Sequence, residues 1–374
     1  MFELPPILLA LAFIVVGAAA WYLGRRTAAS NRTVRLPPDY YVGLDHLIND
    51  RFDSAAEVFS RMAQGDNDAT EIQFALGSLF RRRGEVDRAI AIHTRLRDEG
   101  PATSRDRAAF ALALDYLGAG LMDRAEQLLE QLTASGEFRA AALDQLVRIY
   151  EQQGDWANAL KFFHELSPSV QLERRKHAAH YLCELAEQAL LQGDMDRTRT
   201  LLRQARVHDA ELPRAEVVAA RVTEASGDQH GALCLYLKAL EVSPGLALEV
   251  IPRVLVLARQ LNQTNMLEDL AVRIQHAGHL NARQLAWLLA TAVPAAEVNN
   301  FPRIIADELG AGTDVAPADV SSVSAMLTRI GDVDGRYQCD DCGLHSVGWY
   351  WRCPKCRSWD SMRPAVFKWA GHAT

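Results

Sequence analysis

Gly77-Ser78-Leu79-Phe80-Arg81-Arg82-Arg83-Gly84-Glu85-Val86-Asp87-Arg88-Ala89 is the stretch on which the fold turns. An apolar run carries a small residue, Gly77. Gly84 then supplies the left-handed conformation in which helices commonly end. Glu85 to Arg88 reopen a helix, because acidic side chains suit a helix N-terminus. Ala89 follows on the new helix. The arrangement recurs along the chain. Small or apolar residues stand at Ala55, Ala89, Ala125, Ala159, Thr198, Ala232 and Leu267, in steps of 34, 36, 34, 39, 34 and 35. Five residues before each lies a turn former: Asp50, Gly84, Gly120, Gly154, Gly193, Gly227 and Asn262. Twelve residues before the marker, a small residue marks the first helix at Gly43, Gly77, Ala113, Ala186 and Ala220.

Large residues recur in the second helix at Phe59, Leu129, Phe163, Leu202 and Tyr236, and Pro101 and Pro244 fall between repeats. The pattern resembles the tetratricopeptide repeat, a helix-turn-helix unit of about 34 residues. Six repeats follow it and a seventh is degenerate; those around Gly193 and Asn262 are the weaker ones. A non-repetitive helical domain would not hold so regular an interval. The expected fold is all-α, a superhelix whose long concave wall holds protein partners. His177 and His180 stand three apart on one helix. They could share a metal, but a polar helix face is the plainer reading.

Working outward toward the N-terminus, Leu4 to Leu23 carries no charge, and ten of its residues are Leu, Ile, Phe or Val. Twenty helical residues span about 30 Å, the thickness of a bilayer core. Those ten favour insertion by roughly 3 to 6 kcal/mol. Trp21 and Tyr22 lie where an interfacial aromatic belt belongs, and Arg25, Arg26, Arg32 and Arg35 follow. The positive-inside rule then places the rest of the chain in the cytoplasm. Ala18-Ala19-Ala20 resembles a leader cleavage site, but a cleaved leader needs a positive residue before the apolar run, where only Met1, Phe2 and Glu3 stand.

Toward the C-terminus, Ala306 to Pro317 reads as a connection, and Asp319 to Ile330 as a short amphipathic helix. Then come Cys339-Asp340-Asp341-Cys342-Gly343 and Cys353-Pro354-Lys355-Cys356. Two Cys-x-x-Cys pairs ten residues apart can close a tetrahedral thiolate site on one metal ion, zinc or iron. Four thiolates leave no open position, which favours structure over hydrolytic catalysis. Trp349, Tyr350 and Trp351 suit a strand between the pairs, and with Trp359 they are placed to cover the site. About 30 residues have too little core to fold alone; metal binding supplies on the order of 10 kcal/mol in comparable peptides.

Net charge is −7 over 374 residues, unlike the basic balance of a dedicated nucleic-acid binder. The head from Arg336 to Lys368 holds six Lys or Arg against three Asp. A divalent metal with four thiolates contributes about −2, leaving little attraction for phosphate, so nucleic acid is disfavoured as a partner. Cys183 and Cys234 lie alone in helical patterns and read as buried small hydrophobes, and no disulfide framework is visible. Phosphate-binding, dinucleotide, nucleophile-elbow and His-Glu-x-x-His motifs are absent. The sequence therefore reads as a non-enzymatic adaptor. The alternatives are a generic membrane-anchored scaffold, or a metal head that binds nucleic acid or transfers electrons.

The three parts in this order resemble the lipopolysaccharide assembly protein B family of Gram-negative bacteria. The most specific stretches are Tyr337 to Gly343 and Tyr350 to Trp359. The resemblance implies a transmembrane anchor over 1–24, a basic linker over 25–36, a tetratricopeptide-repeat solenoid over 37–310, a linker with a short helix over 311–335, and a rubredoxin-like metal domain over 336–374. It carries the metal ligands onto Cys339, Cys342, Cys353 and Cys356. It further implies regulation of lipopolysaccharide synthesis at the inner membrane, with the membrane protease FtsH and the deacetylase LpxC as partners. One departure bears on the head. Rubredoxins have a longer interval between knuckles and usually a glycine after the second, where this chain has Arg357; electron transfer is disfavoured accordingly.

Overall fold

A computed structural model describes residues 38–49, 51–64, 70–263 and 337–365. The apolar segment 4–23, the basic residues after it, Leu267, the linker and the helix expected at 319–330 all lie outside the described residues. Among the described residues no helix is long and apolar enough to cross a membrane. The chain divides into two compact units, residues 1–139 and 140–374.

In the first unit the helices come as pairs: α1 (Pro38–Ile48) with α2 (Phe52–Gln64), α3 (Thr70–Arg82) with α4 (Val86–Glu99), and α5 (Arg105–Gly118) with α6 (Met122–Leu132). In the second, α7 (Arg139–Gln153) leads to α8 (Trp156–Glu165). The short α9 (Pro168–Glu173) follows. Then α10 (Arg175–Leu191) pairs with α11 (Met195–His208), α12 (Pro213–Ala225) with α13 (Gln229–Val242), and α14 (Ala247–Gln260) begins a further repeat. The helices are those the repeat register predicts. The interval of 39 residues between Ala159 and Thr198 also gains its cause, because α9 is an extra turn inserted there.

Among the described residues, six intra-repeat turns end in a left-handed residue. Gly84, Gly120, Gly154, Gly193, Gly227 and Asn262 have φ between +54° and +87°. The next helix then opens on an acidic cap in three repeats: Asp155 accepts from the Asn158 N–H, Asp194 from Arg197 and Asp228 from Gly231. Such a cap is worth about 1 kcal/mol. Pro101 and Pro244 both open 3-10 turns between repeats.

The markers Ala55, Ala89, Ala125, Ala159, Thr198 and Ala232 are fully buried. Their small side chains let paired helices approach closely. The small residues of the first helices do the same work. A side chain at Gly77 would meet the His93 ring, its Cβ lying 2.5 Å from Nε2. His93 is itself held there, since its Nδ1 lies 2.5 Å from Asp115 Oδ2 while Arg81 donates to Asp115 Oδ1 at 2.6 Å. One buried carboxylate thereby ties α3, α4 and α5 together; a buried charge is tolerated only with such partners. Tyr150 of α7 stacks on Phe162 of α8 at 5.4 Å, packing the first pair of the second unit.

The C-terminal head is a three-stranded antiparallel sheet in the order β2-β1-β3, with β1 Tyr337–Cys339, β2 His345–Ser346 and β3 Met362–Pro364. Trp349 to Trp351 do not form the expected strand. Trp349 and Trp351 pack instead into a core that the head shares with the last described helices; tertiary packing outranks strand preference there. In that core Tyr337, Cys339, Cys353 and Met362 bury beside Leu246, Leu248, Ile251 and Val254.

Candidate metal centre

Two similar turns bring the four cysteines together. β1 delivers Cys339, and the Gly343 N–H returns to the Cys339 carbonyl at 2.9 Å. The second turn repeats this, with the Arg357 N–H on the Cys353 carbonyl at 2.8 Å. Gly343 has φ +69° and Arg357 φ +64°. The arginine therefore occupies a backbone position suited to glycine, a conformation that costs an L-residue about 1–2 kcal/mol.

The four sulfurs lie within 4.8 Å of one another, and all four cysteines are free. Cys339 and Cys356 are 3.6 Å apart at sulfur, and Cys342 and Cys353 3.7 Å. A tetrahedron with metal–sulfur bonds of about 2.3 Å has edges of about 3.8 Å. A disulfide would need about 2.05 Å. The residues thus fit one tetrahedral ion, and zinc and iron are both compatible with four thiolates.

The surroundings favour ionised sulfur at some of these positions. Burial raises the Cys339 thiol, but the Ser361 hydroxyl, 3.2 Å from its sulfur, and the backbone N–H groups of Cys342 and Asp341 outweigh that and bring it down to about 6. The Ser358 hydroxyl and N–H lower Cys356. Cys342 moves the other way. A bond from the Leu344 N–H favours its thiolate, yet burial and three neighbouring sulfurs push it up to about 12. Four adjacent thiolates repel one another, and a cation removes that conflict.

The head is fastened to the repeats by residues of one register. His180, Arg214 and Glu249 are 34 and 35 residues apart, each eighteen before a repeat marker. His180 is fully buried; its Nε2 lies 2.8 Å from Asp360 Oδ2, and Trp359 stacks on its ring at 4.5 Å. Arg214 is 2% exposed, pairs with Glu184 and Glu187, and faces the Trp351 ring at 5.8 Å. Glu249 Oε1 accepts from the Tyr337 hydroxyl at 3.0 Å and from the Trp349 N–H at 3.3 Å. Arg352 adds a bond to the Glu151 carbonyl, and its guanidinium lies 5.7 Å from the Trp156 ring and 5.5 Å from the Trp359 ring. Asp360 and Ser361 are adjacent, so one short loop touches both the repeats and a cysteine sulfur.

Several expectations change here. His177 and His180 are not a solvated polar face. The head covers His180, and burial depresses the His177 pKa, with Glu151 acting against it. Trp359 faces the repeats rather than capping the sulfurs. Cys183 is buried, which drives its thiol up to about 12, but Cys234 is exposed, 3.9 Å from His230. The neighbours of Cys234 on α13, Ala232, Leu233 and Tyr236, take the core side. The fastening residues were not foreseen. Reading the position eighteen before each marker would have flagged them. In the first unit that position holds Glu71 and Arg107, which pair with each other through two bonds of 2.6 and 3.0 Å.

Fold and site together define a tetratricopeptide-repeat protein with a four-cysteine ribbon head. Residues 337–364 match the family described as rubredoxin metal binding domain, and residues 74–102 and 142–176 match the tetratricopeptide repeat. Lipopolysaccharide assembly protein B of Escherichia coli K12 is 31% identical over 96% of this chain and 97% of its own length. The protein of that name from Haemophilus influenzae is 27% identical over 96% and 98%. Among solved structures, the C-terminal part of a repeat protein from Cytophaga hutchinsonii is similar over 72% of this chain, at 13% identity and a TM-score of 0.42. The chain belongs to the lipopolysaccharide assembly protein B family.

Proposed function

We propose that the protein is a non-enzymatic inner-membrane adaptor that regulates lipopolysaccharide synthesis. The observation that carries this reading is relatedness along nearly the whole chain, 96% of it, to proteins named for lipopolysaccharide assembly. In this reading the chain comprises an anchor over 1–24, a basic linker over 25–36, repeats over 37–310, a linker over 311–335 and the metal head over 336–374.

Cys339, Cys342, Cys353 and Cys356 hold one structural ion, zinc or iron. When bound, the ion neutralises the clustered thiolates and fixes both turns. The chain's own residues do the rest. Ser361 and Ser358 orient sulfurs, while Asp360, Trp351, Trp359, Tyr337 and Trp349 seat the head on the repeats. The anchor keeps the repeats at the cytoplasmic face of the membrane. There they gather protein partners, the protease FtsH and its substrate LpxC or other lipopolysaccharide synthesis proteins, and promote LpxC degradation.

The test is the half-life of LpxC in the native host with and without this protein. Depletion should prolong it. An unchanged half-life would remove the degradation role.

A further inference from the structure

The four sulfurs of the head differ in what covers them. Cys339 and Cys353 are each 1% exposed, and the Ser361 hydroxyl oxygen lies 3.2 Å from the Cys339 sulfur. Cys342 is half-buried, whereas Cys356 is exposed. The chain on either side of Cys356 is open too, since Pro354, Lys355 and Arg357 are all exposed. Lys355 and Arg357 place two positive charges next to it in sequence. An accessible thiolate among cations is the setting of oxidant-sensitive cysteines, whereas buried structural thiols are inert. A second sulfur stands within reach. Cys339 Sγ is 3.6 Å from Cys356 Sγ, and closing that gap by about 1.5 Å gives the length of a disulfide.

The same turn fastens the head. The Arg357 N–H closes it on the Cys353 carbonyl, and Arg352 Nε donates to the Arg357 carbonyl at 3.2 Å. Arg352 also reaches the Glu151 carbonyl on the repeats. Trp359, which stacks on His180, follows Cys356 by three positions. The most accessible sulfur therefore belongs to the segment that seats the head.

We propose that Cys356 is an oxidation site through which a peroxide releases the metal and loosens the head from the repeats. The Cys356 thiolate attacks one oxygen of hydrogen peroxide. The O–O bond breaks, a sulfenic acid forms and hydroxide leaves. The Cys339 thiolate then attacks the Cys356 sulfur, the S–O bond breaks and a second hydroxide leaves. The two sulfurs together lose two electrons, the peroxide gains them, and both hydroxides take protons from the buffer. The disulfide removes two of four ligands, so the ion departs and the second turn loses its tie. The site rests on the reading of the four cysteines as a metal centre.

The experiment loads the full chain in detergent with zinc and adds hydrogen peroxide. A chromogenic chelator follows released zinc, and mass spectrometry maps disulfides as release proceeds. The first disulfide should join Cys339 to Cys356. Hydrogen exchange at Tyr337–Cys339 and Trp359 should rise in step with release. Cys356→His leaves a set of three cysteines and one histidine, which suits zinc. It should slow release about tenfold or more, because the accessible thiolate is gone. Cys234→Ser removes another exposed thiol and should leave release unchanged. A first disulfide from Cys356 to Cys342 or Cys353 would support the entry sulfur and reassign its partner. A first disulfide without Cys356, or exchange unchanged after release, would overturn the proposal. Should Cys356→His hold no zinc, the disulfide map of the wild-type chain decides alone. Metal content before peroxide reads the metal centre separately. A chain that takes up no stoichiometric zinc or iron removes that reading and this site with it. One zinc per chain, released without Cys356 being oxidised, removes only this site.

Discussion

At Arg357 a charged residue stands in a left-handed turn, with φ +64°, where Gly343 serves the first cysteine pair. Glycine adopts that conformation without a Cβ penalty. Arg357→Gly should therefore stabilise the head by about 1 kcal/mol, visible as a higher chelator concentration at half metal loss. The turn is closed by the Arg357 backbone, whose N–H bonds the Cys353 carbonyl, and glycine keeps that bond. Cys339→Ser tests the opposite direction. Cys339 is buried, lies 3.2 Å from the Ser361 hydroxyl oxygen and faces Cys356, so its loss should abolish stoichiometric metal and unfold the head. The repeats should keep their helical circular dichroism. A mutant retaining one metal per chain would show that Cys339 is not a ligand. Both cysteine pairs were legible from spacing alone. The role of Ser361 was not, because nothing in the sequence places a serine 22 positions away against that sulfur.

Among the helices, close approach decides which residues can be exchanged. Gly77 lies against His93, and a Cβ there would come within 2.5 Å of the ring. Alanine at 77 gains about 1 kcal/mol of helix propensity, but crowding a packed core costs typically 1–3 kcal/mol. His93 cannot retreat, because Asp115 holds its other nitrogen. Gly77→Ala should therefore lower the stability of the first unit on balance, measured by urea unfolding. A stabilised variant would show that the His93 ring moves freely. The periodic small residues predicted this packing, and the turn glycines predicted where helices end. The His93–Asp115–Arg81 connection was hidden. Its members lie on three different helices, and periodicity reports helix faces rather than which polar side chains meet.

The head and the repeats of the second unit form one structural whole. Tyr337, Cys339, Cys353 and Met362 share a core with α12, α13 and α14, and His180, Arg214 and Glu249 line the seam. Glu249→Ala removes the acceptor of both the Tyr337 hydroxyl and the Trp349 N–H. Hydrogen exchange at Tyr337–Cys339 should rise by about tenfold or more, the effect of one or two lost hydrogen bonds to a charged group, while the first unit stays unchanged. Exchange confined to the variant helix would deny the coupling. Acid should act in the same direction. Burial holds the His177 pKa below its ordinary 6.5. The unfolded chain then binds the extra proton as pH falls through 6.5, so native stability is full above that value and declines below it. A melting temperature for the second unit that stays flat between pH 7.5 and about pH 5.5 would contradict this linkage.

The sequence by itself determined the helical repeat, its turns and the four-cysteine set. Each is a local pattern: a glycine at a helix end, a small residue at a fixed interval, two Cys-x-x-Cys pairs. Spacing encodes such features because the chemistry repeats in register with the backbone. Only the tertiary structure decided that the head lies on the repeats, that Trp359 stacks on His180 across 179 positions, and that Cys234 faces outward while Cys183 does not. Those outcomes depend on which faces bury the most apolar surface and satisfy the most polar groups at once. That balance is struck between distant segments, so no local stretch of this chain records it.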